Sequence, residues 1–234
     1  MDIKGSVALV TGANRGIGRQ FARHLVERGA ATVYATARRP GDIDIPGVRV
    51  LALDITDPAS IRAAAEAAPD VNLLINNAGV ALRQNVIDGD LDQIGQELDT
   101  HLWGTLRMMR AFAPALGRNG GGAVLNVLSV LSWFSSGAAN SYSVAKAAQW
   151  ALTNGARVEL AGQGTLVTGL HMAAVDTDAM RDFDVDKLDP ADVVRAALDG
   201  IEAGALEVLL DEPSRQVKAG LAADPRMLYP AAAR

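Results

Sequence analysis

Short apolar runs alternate with longer amphipathic segments along the whole chain. The short runs are almost continuously hydrophobic, which is typical of parallel strands that are covered on both faces. The predicted strands are Val7–Val10, Thr32–Ala35, Val48–Leu53, Leu73–Ile75, Ala123–Leu128, Leu166–Leu170 and Leu206–Leu210. The longer segments predict helices at Ile17–Arg28, Ala59–Ala67, Leu91–Phe112, Tyr142–Ala161 and Ala191–Ala203.

This alternation predicts an α/β fold, a doubly wound parallel sheet of about seven strands with right-handed crossovers and helices on both faces. No linker or internal repeat interrupts residues 1–234, so we expect a single domain. Sheets of this kind bind ligands outside the carboxyl ends of their strands. The candidate functional residues are therefore those that follow the strands.

The first strand runs directly into a glycine-rich turn, Thr11–Gly18, and a helix follows. Glycines at such a turn allow a tight bend and let the backbone approach a pyrophosphate, while the helix N-terminus attracts the anion. The spacing is Gly-x-x-x-Gly-x-Gly, which differs from the Gly-x-Gly-x-x-Gly fingerprint, and a purely structural turn is the alternative. The candidate phosphate-binding residues are Gly12, Asn14, Arg15, Gly16, Ile17 and Gly18.

Arg38 and Arg39 follow the second strand, where dinucleotide-binding folds distinguish between cofactors. An acidic residue there binds the ribose 2′-hydroxyl of NAD, but this chain has no carboxylate before Asp42. Two guanidiniums, joined by Arg15 of the glycine loop, suit a 2′-phosphate. We therefore predict NADP(H) in preference to NAD(H), the alternative being that these arginines are solvated loop charges.

Tyr142 and Lys146 lie four residues apart on a predicted helix, so their side chains share one face, about 6 Å apart along the axis. A free tyrosine has a pKa near ~10 and transfers protons poorly at neutral pH. A fixed positive neighbour favours the phenolate and lowers that pKa. Taken alone, the spacing also fits an aromatic side chain beside a solvated lysine.

Composition narrows the function further. The net charge is −5 and the basic residues are scattered, which argues against a nucleic-acid partner. No apolar run has the ~18 residues of a membrane span and no signal peptide is visible, so we expect no membrane association and a cytoplasmic location. Cysteine is absent, and His24, His101 and His171 have no ligand spacing, so no metal site is predicted.

Four motifs occur together in one order: the glycine loop, Asn76–Gly79 after the fourth strand, Ser129, and Tyr142-x-x-x-Lys146. In this combination the whole chain resembles the short-chain dehydrogenase/reductase family. The resemblance implies one Rossmann-like domain, residues 1–234, that binds the dinucleotide and transfers hydride between NAD(P) and a carbonyl or alcohol. It also implies adenosine contacts from Asp54, Ile55, Asn77, Ala78 and Gly79.

The same resemblance implies the catalytic roles. Ser129 lies thirteen residues before Tyr142 at the family's offset, with Ser132, Ser135 and Ser136 as rivals only if the intervening loop is atypical. Ser129 and Tyr142 would hydrogen-bond the developing oxyanion, and Tyr142 would donate its proton as general acid. Lys146 would lower the phenol's pKa and hold the nicotinamide ribose.

Two positions depart from the family pattern. His101 stands where relatives carry an asparagine that supports proton supply, and it would either relay protons itself or be satisfied by a backbone carbonyl. After the sixth strand, Ala173-Ala174 replaces the usual Pro-Gly, although Thr177 is retained and Val175 could lie against the nicotinamide.

The predicted substrate is a small neutral aldehyde or ketone. The segment from Asp178 to Asp189, where relatives place a substrate lid, is acidic and would discourage an anionic substrate, and aromatic side chains such as Trp133 and Phe134 could lie nearby. Relatives pair the helices that begin near Leu91 and Tyr142 between subunits, so we expect a homodimer or homotetramer. Two alternatives stay open: a non-enzymatic NADP-binding sensor, and a sugar-nucleotide epimerase or dehydratase, which usually needs a larger C-terminal region.

Overall fold

The computed structural model describes residues 1–137 and 139–229. Seven parallel strands form one sheet in the order β3-β2-β1-β4-β5-β6-β7, as the hydrophobic pattern predicts. The strands are β1 (Val7–Val10), β2 (Thr32–Ala37), β3 (Arg49–Ala52), β4 (Leu73–Asn76), β5 (Ala123–Val127), β6 (Leu166–His171) and β7 (Glu207–Leu209). The order reverses between β1 and β4, which creates a crevice at the carboxyl ends of these two strands.

Helices cover both faces of this sheet. They are α1 (Gly16–Glu27), α2 (Pro58–Ala67), α3 (Leu91–Leu98), α4 (Thr105–Arg118), α5 (Asn140–Leu160), α6 (Pro190–Glu202), α7 (Glu212–Ala219) and α8 (Pro225–Leu228). On one face α1 and α6 pack together through buried residues such as Phe21 and Ile201. On the other face α2 and α4 bury residues such as Ile61 and Phe112. The inner strands β1, β4 and β5 are therefore buried on both sides because helices cover both faces there, whereas the edge strand β3 is mostly exposed.

The helix predicted at Leu91–Phe112 differs from the observed structure. A π-helical turn, Asp99–Gly104, separates α3 from α4, and the helical chain continues to Arg118. The apolar periodicity of the segment does not reveal such a local change of winding, which is frequently found at functional sites.

Helices α7 and α8 were not predicted. The α7 sequence is short and polar and has no apolar stripe long enough to stand out from a loop. Its start is fixed by Asp211, whose carboxylate accepts a hydrogen bond from the Ser214 amide at 2.7 Å.

Within the ranges given above, no helix is long and apolar enough to cross a membrane. The same residues contain no group of three His, Asp or Glu side chains placed to hold a metal ion.

Candidate active site

A cavity of about 710 Å³ lies at the carboxyl ends of β1 to β4, in the crevice made by the reversal of strand order. Fourteen of the predicted cofactor-binding residues line it: Gly12, Asn14, Arg15, Gly16, Ile17, Gly18, Arg38, Arg39, Asp54, Ile55, Asn77, Ala78, Gly79 and Thr177. The cavity therefore brings together segments that are widely separated in the sequence.

The glycine loop needs its small residues for steric reasons. A Cβ on Gly18 would lie 2.2 Å from the Gly12 carbonyl oxygen and 2.4 Å from Asn77 Nδ2. Gly12 and Gly16 have φ values of 67° and 54°, in the left-handed region that favours glycine. Arg15 is the residue before α1, and its side chain makes no capping hydrogen bond. It therefore does not cap the positive N-terminal end of the helix.

Thr11 anchors this region and was missed by the sequence analysis. Its Oγ1 accepts hydrogen bonds from the Asn77 and Ala78 amides, both at 2.9 Å. Asn77 Nδ2 donates in turn to the Thr11 carbonyl at 2.8 Å. Asn77 thus links the turn after β4 to the glycine loop, and its side chain has a structural role here. Thr11 belongs to the segment already singled out, but a lone threonine beside glycines carries no signal for this contact.

The two arginines after β2 differ in their surroundings. Arg39 Nε pairs with Asp42 Oδ2 at 3.1 Å, whereas Arg38 makes no ion pair within the part of the chain that the structure describes. Burial raises the pKa of the Asp54 carboxyl, but hydrogen bonds from Thr56 lower it and give a net decrease. Arg38 is close enough to Asp54 to add a smaller lowering of this pKa. Arg38 is therefore the more available of the two for an anionic ligand.

Lys146 is buried on α5 and held at two points. Its Nζ donates to the Val127 carbonyl at 2.7 Å and to Gln149 Oε1 at 2.9 Å. The ammonium lies 5.6 Å from the centre of the Tyr142 ring, so the predicted proximity of phenol and ammonium is confirmed. Burial lowers the pKa of Lys146 to about 7.

The predicted acidification of Tyr142 by Lys146 is wrong for this arrangement. Burial and the nearby Glu97 carboxylate raise the pKa of Tyr142, and Arg83, not Lys146, acts in the opposite direction. The physical reason is that the hydroxyl is buried near a carboxylate, and both effects disfavour the phenolate. Tyr142 is consequently protonated at neutral pH, which suits a proton donor.

Ser129 lies two residues after the end of β5 and is buried, with an exposed fraction of 8%. Its Oγ accepts a hydrogen bond from the Leu131 amide at 3.1 Å, which leaves the hydroxyl proton available for donation. Its rival Ser132 accepts a hydrogen bond from the Ser129 amide at 3.3 Å and so serves the local turn. Behind Ser129, the buried ring of His171 bonds the Ser129 carbonyl through Nδ1 at 3.1 Å.

His101 lies in the π-helical turn and is almost completely buried. Its Nε2 is 2.7 Å from the Val80 carbonyl oxygen, which corresponds to the backbone-satisfied alternative, and its ring meets the Tyr142 ring edge-on at 5.3 Å. Burial and Lys146 hold the pKa of His101 well below its ordinary value. Gly79 makes room for this ring, since a Cβ there would lie 2.6 Å from His101 Cε1. A relay role for His101 stays a prediction.

Within the segment after β6, an isolated parallel bridge joins Val175 to Leu188, and neither residue belongs to the sheet. Val175 is buried and is not among the residues that line the cavity, whereas Thr177 is. Two of the acidic residues have local partners: Asp178 pairs with Arg181, and Asp189 accepts from the Ala191 amide at 2.7 Å to cap α6. Asp189 is therefore structural, whereas Asp178, although paired, lines the cavity.

The cavity fits a dinucleotide. The glycine loop is packed too tightly against α1 to admit a Cβ at Gly18, and the uncapped N-terminus of α1 lines the cavity. Asp54 and Ile55 follow β3 and Arg38 follows β2, and all three line the same cavity. These features define a dinucleotide-binding protein of the doubly wound class.

The comparisons with known proteins agree with this class. Residues 6–187 match the model of the family described as short chain dehydrogenase. FabG of Vibrio harveyi, a 3-oxoacyl-[acyl-carrier-protein] reductase, is 30% identical over 215 residues, which cover 88% of this chain and 86% of the relative. The chain therefore belongs to the short-chain dehydrogenase family and is an oxidoreductase of that family.

Solved structures extend the likeness to the nucleotide site. A short chain dehydrogenase from Burkholderia cenocepacia J2315 in complex with NADP is 39% identical with a TM-score of 0.94, covering 99% of this chain and 98% of that one. A 3-ketoacyl-(acyl-carrier-protein) reductase from Brucella melitensis complexed with NADH is 25% identical with a TM-score of 0.82, covering 90% and 99%. These relatives support a nicotinamide cofactor. Because one holds NADP and the other NADH, they do not establish which of the two this protein prefers.

Proposed function

We propose that this protein is an NADPH-dependent carbonyl reductase or alcohol dehydrogenase that acts on small neutral aldehydes or ketones. The observation that carries the proposal is the pairing of Tyr142 and Lys146 on α5, with Lys146 bonded to Val127 at the end of β5. The cavity lies at the carboxyl ends of β1 to β4, the same edge of the sheet. The unpaired Arg38 supports NADP(H) over NAD(H). NADPH, when bound, supplies the hydride.

The side chains of this chain account for the remaining chemistry. Tyr142 is protonated at neutral pH and donates its proton to the substrate oxygen as general acid. Ser129 donates a hydrogen bond to the same oxygen, because its Oγ already accepts from a backbone amide and retains a free proton. Lys146, fixed by Val127 and Gln149, would hold the nicotinamide ribose.

Exposed apolar residues support an oligomer. Trp103 is 49% exposed in the turn between α3 and α4, and Val144 and Val158 on α5 are 46% and 79% exposed. Residues 144 and 158 are close to a whole number of helical turns apart, so they lie on the same face of α5. We propose that this face pairs with a second copy in a homodimer or homotetramer, and a cytoplasmic location remains the expectation from the sequence.

The proposal is tested by following NADPH absorbance with a panel of small aldehydes and ketones. We expect turnover by the wild type, and a loss of about 100- to 10,000-fold in Tyr142→Phe with NADPH affinity nearly unchanged. Tight NADPH binding without consumption across the panel would instead indicate a sensor. Near-normal turnover by Tyr142→Phe would contradict the assigned proton donor.

A further inference from the structure

Glu97 is a completely buried carboxylate beside the site, although it belongs to the amphipathic helix α3. Its Oε1 accepts hydrogen bonds from the Leu82 amide at 2.6 Å and the Arg83 amide at 3.2 Å. Its Oε2 is buried without a partner among residues 1–137 and 139–229. A carboxylate in this setting is expected only where it fixes a particular backbone geometry, because its burial is costly.

The backbone that Glu97 fixes is strained. Arg83 has φ 58°, and it is the one non-glycine residue with a positive φ in the described part of the chain. A side chain in this region carries an energetic cost, and such residues cluster at functional sites. The hydrogen bonds that the Leu82 and Arg83 amides donate to Glu97 therefore hold Arg83 in this conformation.

The Arg83 side chain reaches the segment that follows β6. Its Nη2 donates to the Ala179 carbonyl at 3.0 Å and contacts Met180 Sδ at 3.5 Å, and its guanidinium lies 4.1 Å from the centre of the Phe183 ring. Within the described residues, Nη1 and Nε make no hydrogen bond. The Arg83 guanidinium is thus held by its Nη2 bond to Ala179 and by the Phe183 ring against its face. The N–H groups of Nη1 and Nε remain available as donors.

Arg83 also adjoins the proton donor. The next residue, Gln84, bonds Ser141 twice: its amide donates to Ser141 Oγ at 2.8 Å, and its carbonyl accepts from the Ser141 amide at 3.0 Å. Ser141 immediately precedes Tyr142, and the charges of Glu97 and Arg83 both act on the Tyr142 hydroxyl, Glu97 raising its pKa and Arg83 lowering it. The backbone that carries Arg83 is therefore bonded to the residue that precedes Tyr142.

We propose that Arg83 is a specificity-determining residue that donates a hydrogen bond to a second oxygen of the substrate. The favoured substrates are then neutral ketones with an ether, ester or carbonyl oxygen close to the reacting carbonyl. Neutrality follows because the buried Glu97 carboxylate, whose Oε2 has no partner within the described residues, would repel a substrate carboxylate. This inference rests on the proposed carbonyl reduction and goes beyond it by naming the substrate class.

A matched pair of ketones tests the inference: methoxyacetone and 2-pentanone have the same chain length, and one ether oxygen replaces one methylene. For each ketone we take the ratio of kcat/KM of the wild type to kcat/KM of Arg83→Met. This ratio cancels the difference in intrinsic reactivity between the two ketones. Methionine needs a Cβ as arginine does, so the backbone strain is unchanged. We expect a loss of about 10-fold or more with methoxyacetone and less than about 3-fold with 2-pentanone.

Phe183→Leu is the control for a purely structural contact between Arg83 and the segment after β6. It removes the ring beneath the Arg83 guanidinium and leaves the N–H donors of Arg83 in place. We expect it to change both ketones equally. Equal losses for both ketones in Arg83→Met would overturn the inference and leave Arg83 only a link between two loops.

Binding separates this inference from the proposed function. Calorimetric titration of each ketone into the complex with NADP⁺ needs no turnover, because a ketone cannot be reduced by the oxidised cofactor. We expect tighter binding of methoxyacetone than of 2-pentanone by the wild type and loss of that preference in Arg83→Met. Absence of a preference overturns the role of Arg83. A wild type that shows the preference but consumes no NADPH would instead contradict the proposed reaction.

Discussion

Lys146 donates a hydrogen bond to Gln149 Oε1 at 2.9 Å, and Gln149 donates from Nε2 to Thr105 Oγ1, also at 2.9 Å. All three side chains are buried, so this chain of hydrogen bonds ties α5 to the start of α4 beneath Tyr142. The position of the ammonium therefore depends on how two helices pack. Gln149 touches no part of the cavity and acts as a positioning residue.

Replacing Gln149 by methionine, which is close to it in shape, should weaken catalysis. The charged lysine loses one of its two acceptors, and a hydrogen bond to a charged group contributes about 1.5–3 kcal/mol, so kcat should fall by about 10-fold or more. The remaining environment favours the neutral amine more strongly, so the pKa of Lys146 should fall below its present value of about 7. The pH profile of kcat measures both effects.

Gln216→Met provides the matched control, because Gln216 is an exposed glutamine on α7 whose amide bonds Glu212. It should leave kcat and the pH profile unchanged. If Gln149→Met lowered only thermal stability while the folded enzyme kept its kcat and its pH profile, the positioning role would be wrong.

The spacing of Tyr142 and Lys146 was predictable because helical periodicity is local and needs no knowledge of the rest of the fold. The hydrogen-bond partners of Lys146 were not, since Gln149 and Val127 meet it only once α5 packs on the sheet. The predicted direction of the Tyr142 pKa shift was wrong for the same reason. Burial, which decides it, is a property of the tertiary structure.

The roles of Glu97 and Arg83 could not be predicted from the sequence either. A glutamate on an amphipathic helix and an arginine in a loop are typical of solvated surfaces, and nothing in their spacing marks them as partners. Their relation appears only in the left-handed backbone of Arg83 and the burial of Glu97. By contrast, the glycine loop was recognised because strand, turn and helix follow one another directly.

The difference between Arg38 and Arg39 makes cofactor preference testable by a matched pair of variants. Arg39 is paired with Asp42, so Arg38 should provide most of the attraction for a 2′-phosphate. We expect Arg38→Gln to weaken NADPH binding by about 10- to 100-fold, on the scale of one charge-assisted contact, and to leave NADH binding nearly unchanged. Dissociation constants from cofactor fluorescence give the comparison.

Arg39→Gln is the control for general loop charge and should have a clearly smaller effect on NADPH. Equal weakening by both variants would mean that the two arginines share the phosphate. No change in either variant would show that the preference for NADP(H) does not come from this loop.

The close approach of Gly18 to Gly12 predicts a sharp effect of one methyl group. In Gly18→Ala the new Cβ would lie 2.2 Å from the Gly12 carbonyl oxygen, so the start of α1 or the glycine loop must shift. We expect the free energy of unfolding to fall by about 1–3 kcal/mol, as for an overpacked interior. Cofactor binding should also weaken, because the phosphate-binding backbone moves. Chemical denaturation and fluorescence titration measure the two effects.

Gly95→Ala is the matched control, since Gly95 also lies in a helix but has open space where a Cβ would be added. Alanine should stabilise α3 by about 0.5–1 kcal/mol through helix propensity and leave cofactor binding intact. If Gly18→Ala behaved like Gly95→Ala, the tight packing of the glycine loop would be wrong.

The buried histidines make the stability of the cofactor-free protein depend on pH. Burial lowers the pKa of His171 to about 3 and holds that of His101 well below its usual value, whereas in the unfolded chain both are near ~6.5. Below about pH 6.5 the unfolded state therefore binds protons that the folded state does not. Stability is fully present above that pH and decreases as the pH falls.

From about pH 6.5 to about pH 5, each histidine should lower the free energy of unfolding by about 1.5 kcal/mol. Other groups contribute little in this range: Lys146, with a pKa of about 7, is mainly protonated in both states, and carboxylates such as Asp54 have lowered pKa values. Denaturant titrations should show about half of this pH dependence in His171→Gln. An unchanged dependence in that variant would mean that His171 is not the buried neutral imidazole that stacks on Trp133 at 3.8 Å behind Ser129.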